Sequence, residues 1–300
     1  MFPIAYHPIY KHPLPEGHRF PMIKYELLPQ QLIHEGIVSE AAFFEPELPD
    51  LKHVYAVHEK DYVDALLKLT LDARAVRKIG FPLSAELVER ELRLTQGTIL
   101  GAEKALQTGI AFNIAGGTHH AYSNRGEAFC LLNDQAVAAQ YLLNEKLAKK
   151  ILIVDLDVHQ GNGTAEIFQN NPNVFTFSMH GKSNYPFKKE KSDLDIELHD
   201  HTEDAKFLEL LHNTLPYLIE NQQPDFIFYL SGVDILATDK LGKLSCSLEG
   251  CKKRDEFVFS LCSQFEIPVQ VSMGGGYSPE IKTIIEAHAA TYRAANSIYG

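Results

Sequence analysis

The most constraining segment of the chain is residues 151–159, which read Ile-Leu-Ile-Val-Asp-Leu-Asp-Val-His. An unbroken run of aliphatic residues is typical of a strand buried on both faces of a parallel sheet. Side chains two apart on a strand share a face, so Asp155, Asp157 and His159 are predicted to point the same way. Open α/β sheets bind ligands at the carboxyl ends of their strands. Because three buried polar groups are costly unless something binds them, this pattern favours a ligand site over a helix cap and a surface histidine.

Segments typical of strands and of helices alternate along the whole chain. Strands are predicted at residues 2–6, 110–115, 151–157, 174–179, 226–231 and 269–272, and helices at 20–34, 61–69, 85–109, 134–146, 202–220, 248–265 and 281–298. Ser84 is a suitable helix N-cap, and Gly109 suits the end of that helix. Strands separated by helices predict an α/β fold with an open, mostly parallel sheet and helices on both faces. We expect residues 1–300 to form a single domain.

Composition argues against several classes of function. The formal net charge is −11, from 28 basic and 39 acidic residues, whereas nucleic-acid binding requires a basic surface. No window approaches the ~18 apolar residues of a membrane span, and the amino terminus lacks a signal-peptide pattern. The four cysteines form no C-x-x-C pair. We therefore expect a cytoplasmic protein with reduced thiols and neither nucleic-acid nor membrane partners, and the oligomeric state stays open.

Polar side chains follow five of the predicted strands. They are His119 and His120, Asp157 and His159, His180, Asp234, and Tyr277 after three glycines. Parallel strands bring their carboxyl ends to one edge of a sheet, so these segments are predicted to converge on one cleft. A soluble fold needs no such convergence for its stability, and we interpret the cleft as the active site of an enzyme.

The residue types at these strand ends suit metal-dependent hydrolysis. Asp157, His159 and Asp234 could provide two carboxylates and one imidazole to a catalytic zinc ion, which keeps an open position for water. Such an ion polarises a carbonyl group and lowers the pKa of its bound water. One member of the pair His119 and His120 could then act as a general base.

For three aromatic residues, the position in the sequence does not decide between a functional role and a packing role. A glycine turn can present the Tyr277 hydroxyl to a developing oxyanion, although a packed tyrosine after a tight turn is the simpler interpretation of that motif alone. Phe129 and Tyr185 suit either the walls of a tunnel or the core, and the residues themselves favour neither.

Four motifs together resemble those of the zinc-dependent histone deacetylase family. They are Gly-Gly-Thr-His-His-Ala at 116–121, Phe-Cys-Leu-Leu-Asn-Asp at 129–134, Asp-Leu-Asp-Val-His-Gln-Gly-Asn-Gly at 155–163 and Gly-Gly-Gly-Tyr at 274–277. The residues of the third motif and the short length of the chain are most similar to the class IV type and its bacterial relatives. The resemblance implies the arginase/deacetylase fold. It also implies hydrolysis of an N-acyl amide, most often N-acetyl-lysine, on a protein, a peptide or a small acylated amine such as a polyamine.

The resemblance implies a role for each residue that matches a motif. The metal ligands would be Asp157, His159 and Asp234, holding zinc or, in the cell, iron(II). The catalytic group would be His120 as general base, His119 beside it, Tyr277 at the transition state, Asp155 orienting His119, and Asn162 as the partner of the base. The substrate-binding group would be Phe129, Tyr185 and Gly275, with Arg19 in an internal channel behind the metal. A structural potassium ion would be held by Asp155, Asp157, the Ser178 side chain and the carbonyl groups of His159 and Met179.

The sequence departs from the family pattern at several positions. Asn162 stands where many members have an aspartate, and a neutral partner should raise the basicity of His120 less than a carboxylate would. Ala128 replaces a glycine, so an added methyl group could narrow the tunnel, and Thr118 replaces a bulky residue. No counterpart is evident for the aspartate that grips the substrate backbone at the rim of class I enzymes.

Two other functions are compatible with the same fold. A non-catalytic acyl-lysine-binding protein could keep the architecture, although the intact set of metal-ligand and catalytic residues argues against it. A two-manganese ureohydrolase would need more aspartates that bridge two metals than the motif at residues 155–159 provides.

Overall fold

The structure is a computed structural model that describes residues 2–300. Its strands are β1 (Ile4–Ala5), β2 (Phe43–Phe44), β3 (Ile110–Asn113), β4 (Ile151–Asp155), β5 (Val174–Gly181), β6 (Leu194–Leu198), β7 (Phe226–Leu230) and β8 (Val269–Ser272). Its helices are α1 (Lys24–His34), α2 (Leu51–Tyr55), α3 (Lys60–Leu67), α4 (Ala73–Ile79), α5 (Ala85–Thr108), α6 (Asp134–Asn144), α7 (Asn162–Phe168), α8 (Asp204–Gln222), α9 (Leu248–Gln264) and α10 (Ile281–Tyr299). Short 3-10 helices span Pro8–Tyr10 and Glu40–Ala42.

The eight strands form one sheet in the order β2-β1-β3-β8-β7-β4-β5-β6, and every neighbouring pair is parallel. The predicted mostly parallel α/β sheet is therefore confirmed. The four central strands β3, β8, β7 and β4 are adjacent, and they are followed by the histidine pair, the three-glycine turn, Asp234 and the Asp-x-Asp-x-His motif, respectively. The sheet order thus brings four of the predicted polar segments side by side.

Helices cover both faces of this sheet, as alternating residues of the central strands show. In β4, Leu152 and Val154 pack into one apolar cluster, which includes residues of α1, α8, α9 and α10. Ile151 and Ile153 pack into a second cluster with residues of α5, α6 and α7. Because both sets are buried, the strand lacks the polar alternation of a half-exposed strand, which is why its sequence is continuously apolar.

The structure corrects the predicted end of β4. The strand ends at Asp155, two residues earlier than predicted, so Asp157 and His159 do not continue an extended face. The carboxylate of Asp155 accepts a hydrogen bond from the backbone N–H of Asp157 at 3.1 Å, and Asp157 does the same for His159 at 3.0 Å. Aspartate side chains that bond the backbone two residues ahead make turns, and these turns bend the chain away from the sheet.

Most predicted helices and strands are present, with ends within a few residues. Ser84 caps α5 by accepting a hydrogen bond from the backbone N–H of Leu87 at 3.1 Å, and Gly109 follows the last helical residue at a φ of 81°. The prediction missed β2, β6, α2, α4 and α7. Throughout residues 2–300, no helix combines the length and apolar character needed to cross a membrane.

Candidate functional site

Three buried side chains form a compact group at the carboxyl ends of β4 and β7. The Nδ1 atom of His159 lies 3.1 Å from Oδ1 of Asp157 and 3.2 Å from Oδ2 of Asp234. One potential ligand atom from each residue lies within 4.8 Å of the other two. The structure therefore brings together the three residues that the sequence predicted as metal ligands.

The remaining carboxylate oxygens are fixed by backbone N–H groups. Gly275 donates to Oδ2 of Asp157 at 2.8 Å, and Val158 donates to Oδ1 of Asp234 at 3.0 Å. Each carboxylate is thereby turned so that one oxygen faces His159. A side chain at Gly275 would collide with both carboxylates. Gly275, predicted to bind substrate, is thus in direct contact with the predicted metal ligands.

The charges of this group fit a divalent cation. Burial and the neighbouring charge of Asp157 raise the pKa of Asp234 to about 7, because two close carboxylates in a dry environment repel each other. A cation between them would remove that penalty. Imidazole nitrogen and carboxylate oxygen are the donors that zinc accepts at catalytic sites. Within residues 2–300 no second group of three such donors lies close together.

The adjacent histidines lie beside this group, each with a different partner. His119 Nδ1 lies 2.6 Å from Oδ2 of Asp155, and His120 Nδ1 lies 2.6 Å from Oδ1 of Asn162. The ring of His120 is centred 5.8 Å from that of His159. The pairings predicted for Asp155 and Asn162 are therefore present as contacts.

The two histidines differ in their pKa shifts. Burial alone would lower the pKa of His119, but the charge and hydrogen bond of Asp155 outweigh burial and raise it. Burial lowers the pKa of His120 well below its usual value, and the charges of His119 and His159 add to that effect. Asn162 carries no charge that would stabilise a protonated His120. The neutral imidazole is consequently the favoured form of His120.

A hydrogen-bonded chain that the sequence did not reveal orients Asn162. Its Nδ2 group donates to the Tyr122 hydroxyl at 2.9 Å, and that hydroxyl donates to Glu190 Oε1 at 3.2 Å. With Nδ2 occupied, Oδ1 of Asn162 faces His120 and accepts from Nδ1, which leaves Nε2 of His120 without its proton. Tyr122 directly follows the histidine motif, which is the only sequence signal for it.

Tyr277 is placed by the glycine turn and by a carboxylate. Gly274 adopts a φ of 69°, in the left-handed region that favours glycine. The backbone N–H of Tyr277 donates to Oδ2 of Asp239 at 2.6 Å, and the ring packs against Phe20 and Phe129 at centroid distances of 5.9 and 6.2 Å. Burial raises the pKa of the phenol well above its usual value. Across residues 2–300 the hydroxyl has no hydrogen-bond partner, so it is a protonated donor available to another molecule.

Two cavities meet at these residues. An outer pocket of about 380 Å³ leads from the surface past Phe129 and Tyr185 to His120, His159 and Tyr277. The Tyr185 ring stands edge-on to His120 at 5.0 Å between centroids. A smaller internal cavity of about 40 Å³ lies behind, lined in part by Asp157 and Phe129. Phe129 and Tyr185, predicted from the family resemblance as tunnel walls, both line the outer pocket.

The wall segment at Phe129 has an unusual backbone. Ala128 and Phe129 have φ values of 45° and 71°, a region that residues with side chains rarely adopt. Their N–H groups donate to the carbonyl groups of Lys78 and Ile79 at 2.9 and 2.6 Å, and these bonds hold the conformation at the end of α4. Ala128 therefore occupies a position where glycine would be less strained.

The prediction for Arg19 is wrong. Arg19 is exposed and lines the outer pocket with its guanidinium carbon 5.0 Å from the centroid of the Phe129 ring, instead of lying in an internal channel. The cations on the buried side are Arg90, which lines the internal cavity, and Lys24, whose Nζ donates to the carbonyl of Gly274 at 3.1 Å. The alignment failed because a single arginine between histidine and phenylalanine carries no spacing that fixes its position.

The residues predicted as potassium ligands lie beside the group formed by Asp157, His159 and Asp234. Ser178 in β5 is the register partner of Asp155 in β4, and Met179 is buried next to it. The Ser178 hydroxyl is 2.9 Å from Nδ1 of His180. The oxygens of Asp155 accept from the backbone of Asp157 and face His119.

A buried arginine supports the backbone that carries both aspartates. Arg254 in α9 donates to the carbonyl groups of Gly232, Ser231 and Leu156 at 2.6, 3.3 and 3.4 Å. It also pairs with Asp255 at 2.9 Å. These carbonyls lie one residue before Asp157 and two and three residues before Asp234. No local sequence pattern could have revealed this role, since Leu156 and Arg254 are 98 residues apart.

Comparison with known proteins agrees with the fold and shows the family. The histone deacetylase domain matches residues 18–292, and the chain therefore belongs to the histone deacetylase family. It is 46% identical over 298 residues to an uncharacterized protein of Picosynechococcus sp., covering 99% of both. It is 30% identical over 277 residues to histone deacetylase 2 of Arabidopsis thaliana, covering 89% of this chain and 72% of that one. A solved histone deacetylase homologue from Aquifex aeolicus superposes with a TM-score of 0.84 at 25% identity, covering 98% of this chain and 83% of that one.

Proposed function

We propose that this protein is a metal-dependent deacylase that hydrolyses the N-acyl amide of an acyl-lysine or a related acylated alkylamine. The observation that carries this proposal is the group formed by Asp157, His159 and Asp234 at the bottom of an aromatic-walled pocket, next to His120. Family membership supports the same reaction. Asp157, His159 and Asp234 would hold one zinc or iron(II) ion. When bound, that ion would polarise the amide carbonyl and increase the acidity of water at the site.

The protein residues account for the proton transfers of the reaction. Water attacks the carbonyl carbon and loses one proton, and Nε2 of His120 is free to accept it because Nδ1 faces Asn162. When the carbon–nitrogen bond breaks, the amine leaves with a proton, which His120 can return. His119, held by Asp155, would add positive charge beside the reacting groups.

Tyr277 and the pocket walls complete the proposed machinery. The unpartnered hydroxyl of Tyr277 would donate to the carbonyl oxygen as negative charge develops there. Phe129 and Tyr185 would enclose the methylene chain of the substrate and exclude water from it. A structural potassium ion near Asp155 and Ser178 remains a prediction from the family resemblance.

The proposal is tested by measuring free amine and carboxylate released from a panel of substrates. Protein loaded with zinc or iron(II) would be incubated with N-acetyl-lysine peptides, longer-chain acyl-lysine peptides and acetylated polyamines. We expect metal-dependent hydrolysis of at least one class, and its loss in Asp234→Ala but not in Asp61→Ala, a surface carboxylate of α3. Binding of acyl-lysine without hydrolysis under any metal would instead indicate a non-catalytic binding protein.

A further inference from the structure

The entrance of the outer pocket has a charge opposite to that of the whole protein. We define the rim as Arg19, Lys78, Tyr185, Phe187 and Leu241, which line the pocket on its solvent side. Both charged residues of the rim are cations, and none of the residues that line the pocket is a carboxylate. The whole chain, in contrast, has a formal net charge of −11.

Arg19 is positioned at the rim by its two neighbours. His18 makes a hydrogen bond from its ring to the carbonyl of Gly80 at 2.9 Å, and Phe20 is buried against Phe129 at 5.1 Å. Between these two anchors, the guanidinium of Arg19 lies over the Phe129 ring. Among residues 2–300 it has no carboxylate partner, so its donors are available to a bound molecule.

Glu127, the carboxylate that contacts the rim residues Lys78 and Tyr185, is already neutralised. Glu127 accepts from Lys78 at 3.3 Å, from Arg125 at 2.9 Å and from the Tyr185 hydroxyl at 2.6 Å. Lys78 and Arg125 therefore both pair with Glu127, whereas Arg19 does not. Within residues 2–300, Arg19 thus remains at the entrance as a cation without a carboxylate partner. Phe187, whose surface is 91% exposed, adds an apolar edge to the same entrance.

We propose that this rim selects acylated lysine substrates that carry a carboxylate beside the acylated side chain. The inference rests on the proposed function and specifies its substrate class. With the amide at the proposed metal ligands and the methylene chain along Phe129, the next atoms of the substrate would be the α-carbon and its substituents, beside the guanidinium of Arg19 that lies over the Phe129 ring. A guanidinium matches a carboxylate with two parallel hydrogen bonds. Acylated polyamines, which carry further ammonium groups, would meet like charge at the same place.

The carboxylate has two sources, which matched substrates distinguish. The first is the α-carboxylate of the lysine itself, in the free amino acid or at a chain end. This source is tested by comparing kcat/KM for N-ε-acetyl-lysine with kcat/KM for N-ε-acetyl-lysine carboxamide. The second is an acidic neighbour, and its test compares acetyl-lysine peptides flanked by glutamate, glutamine or lysine.

In the wild-type protein we expect the anionic member of at least one series to be preferred by roughly fivefold, as for a partly exposed ion pair. This preference should decrease as salt is raised. Arg19→Gln should bring the ratio of kcat/KM between the anionic and neutral substrates close to one. Arg19→Glu should reverse the preference. The matched control is Lys104→Gln, which removes a cation that lies over Phe44 in the edge strand β2 and does not line the pocket. That variant should keep the wild-type ratio.

A uniform rate across both series, or a ratio unchanged by Arg19→Glu, would overturn the rim assignment while leaving the proposed hydrolysis intact. The same substrates would also be tested for binding to Tyr277→Phe by competition with a fluorescent acyl-lysine peptide. If no substrate is hydrolysed but the anionic ones bind more tightly in an Arg19-dependent manner, the rim assignment stands and the proposed function fails.

Discussion

The Nδ1 atom of His120 lies 2.6 Å from the amide oxygen of Asn162, so the histidine next to the proposed metal ligands is oriented by a neutral group. The Tyr122 hydroxyl fixes which end of the amide faces the ring. This arrangement holds the imidazole in the tautomer that can accept a proton. It gives no charge to stabilise the imidazolium, in contrast to His119, whose partner is the carboxylate of Asp155.

The first prediction follows from this pair. Asn162→Asp should raise the pKa of His120, because an adjacent carboxylate favours the protonated ring, typically by about 1–3 pH units. The acidic limb of the profile of kcat/KM against pH should move upwards by a comparable amount, since the base is then lost at a higher pH. Asn162→Ala serves as the control that removes the partner without adding charge. An unshifted limb in Asn162→Asp would show that His120 is not the group that titrates.

The second prediction concerns the phenol. Tyr277→Phe keeps the ring against Phe20 and Phe129 and deletes the hydroxyl alone, so the fold and the metal content should be unchanged. Loss of one oxyanion donor usually costs about 10²–10³-fold in turnover. Steady-state kinetics and metal analysis on the same sample measure this. Turnover within a few-fold of wild type would mean that Tyr277 is only a packing residue.

The third prediction concerns Arg254. Arg254→Lys keeps a buried positive charge for Asp255 but cannot donate to all three carbonyls before Asp157 and Asp234. We expect metal affinity to fall about 10–100-fold, as for other groups that orient metal ligands. Competition with a chelator gives the affinity, and circular dichroism establishes that the variant is folded. A folded Arg254→Lys protein with wild-type metal affinity would contradict the supporting role.

The fourth prediction concerns stability and pH. His58 is buried, its Nδ1 lies 2.9 Å from the carbonyl of Tyr122, and its Nε2 accepts from the backbone of Asn133 at 3.0 Å. Burial lowers its pKa from 6.5 to about 4. Because the unfolded chain binds this proton more readily, the contribution of neutral His58 to stability is complete above pH 6.5. It is lost progressively as the pH falls towards 4.

The measurement is urea unfolding of wild type and His58→Gln at several pH values. The glutamine variant should be less stable at pH 7. The difference between the two proteins should shrink between pH 6.5 and pH 4, with a limiting slope of about 1.4 kcal/mol per pH unit. A constant difference across this range would mean that His58 keeps its ordinary pKa in the folded protein.

The sequence predicts the central sheet and the residues at its edge because their signals are local. The apolar run of β4 and the motifs after β3, β4 and β8 are short, continuous patterns. Two edge strands were missed: β2 has two residues, and β6, Leu-Asp-Ile-Glu-Leu, has an apolar-polar alternation that could have been recognised.

The supporting residues could not be predicted, because their roles depend on contacts between distant parts of the chain. The carboxylate of Asp239 accepts a hydrogen bond from the backbone N–H of Tyr277, 38 residues later. Arg254 donates hydrogen bonds to carbonyl groups that follow two strands. The position predicted for Arg19 was wrong for a different reason, because the family resemblance was weakest at that residue. The packing of Phe20 and Phe129, which no local pattern encodes, puts it at the rim.

The central claim is that Asp157, His159 and Asp234 hold one divalent metal on which hydrolysis depends. The most direct test is a titration of zinc or iron(II) into chelator-treated protein, with bound metal and released carboxylate measured on the same samples. We predict that hydrolysis rises in proportion to bound metal up to one equivalent. We also predict that Asp157→Ala/Asp234→Ala, although folded, neither retains the metal nor hydrolyses substrate. Stoichiometric metal in that double variant, or full hydrolysis by metal-free wild type, would contradict the account.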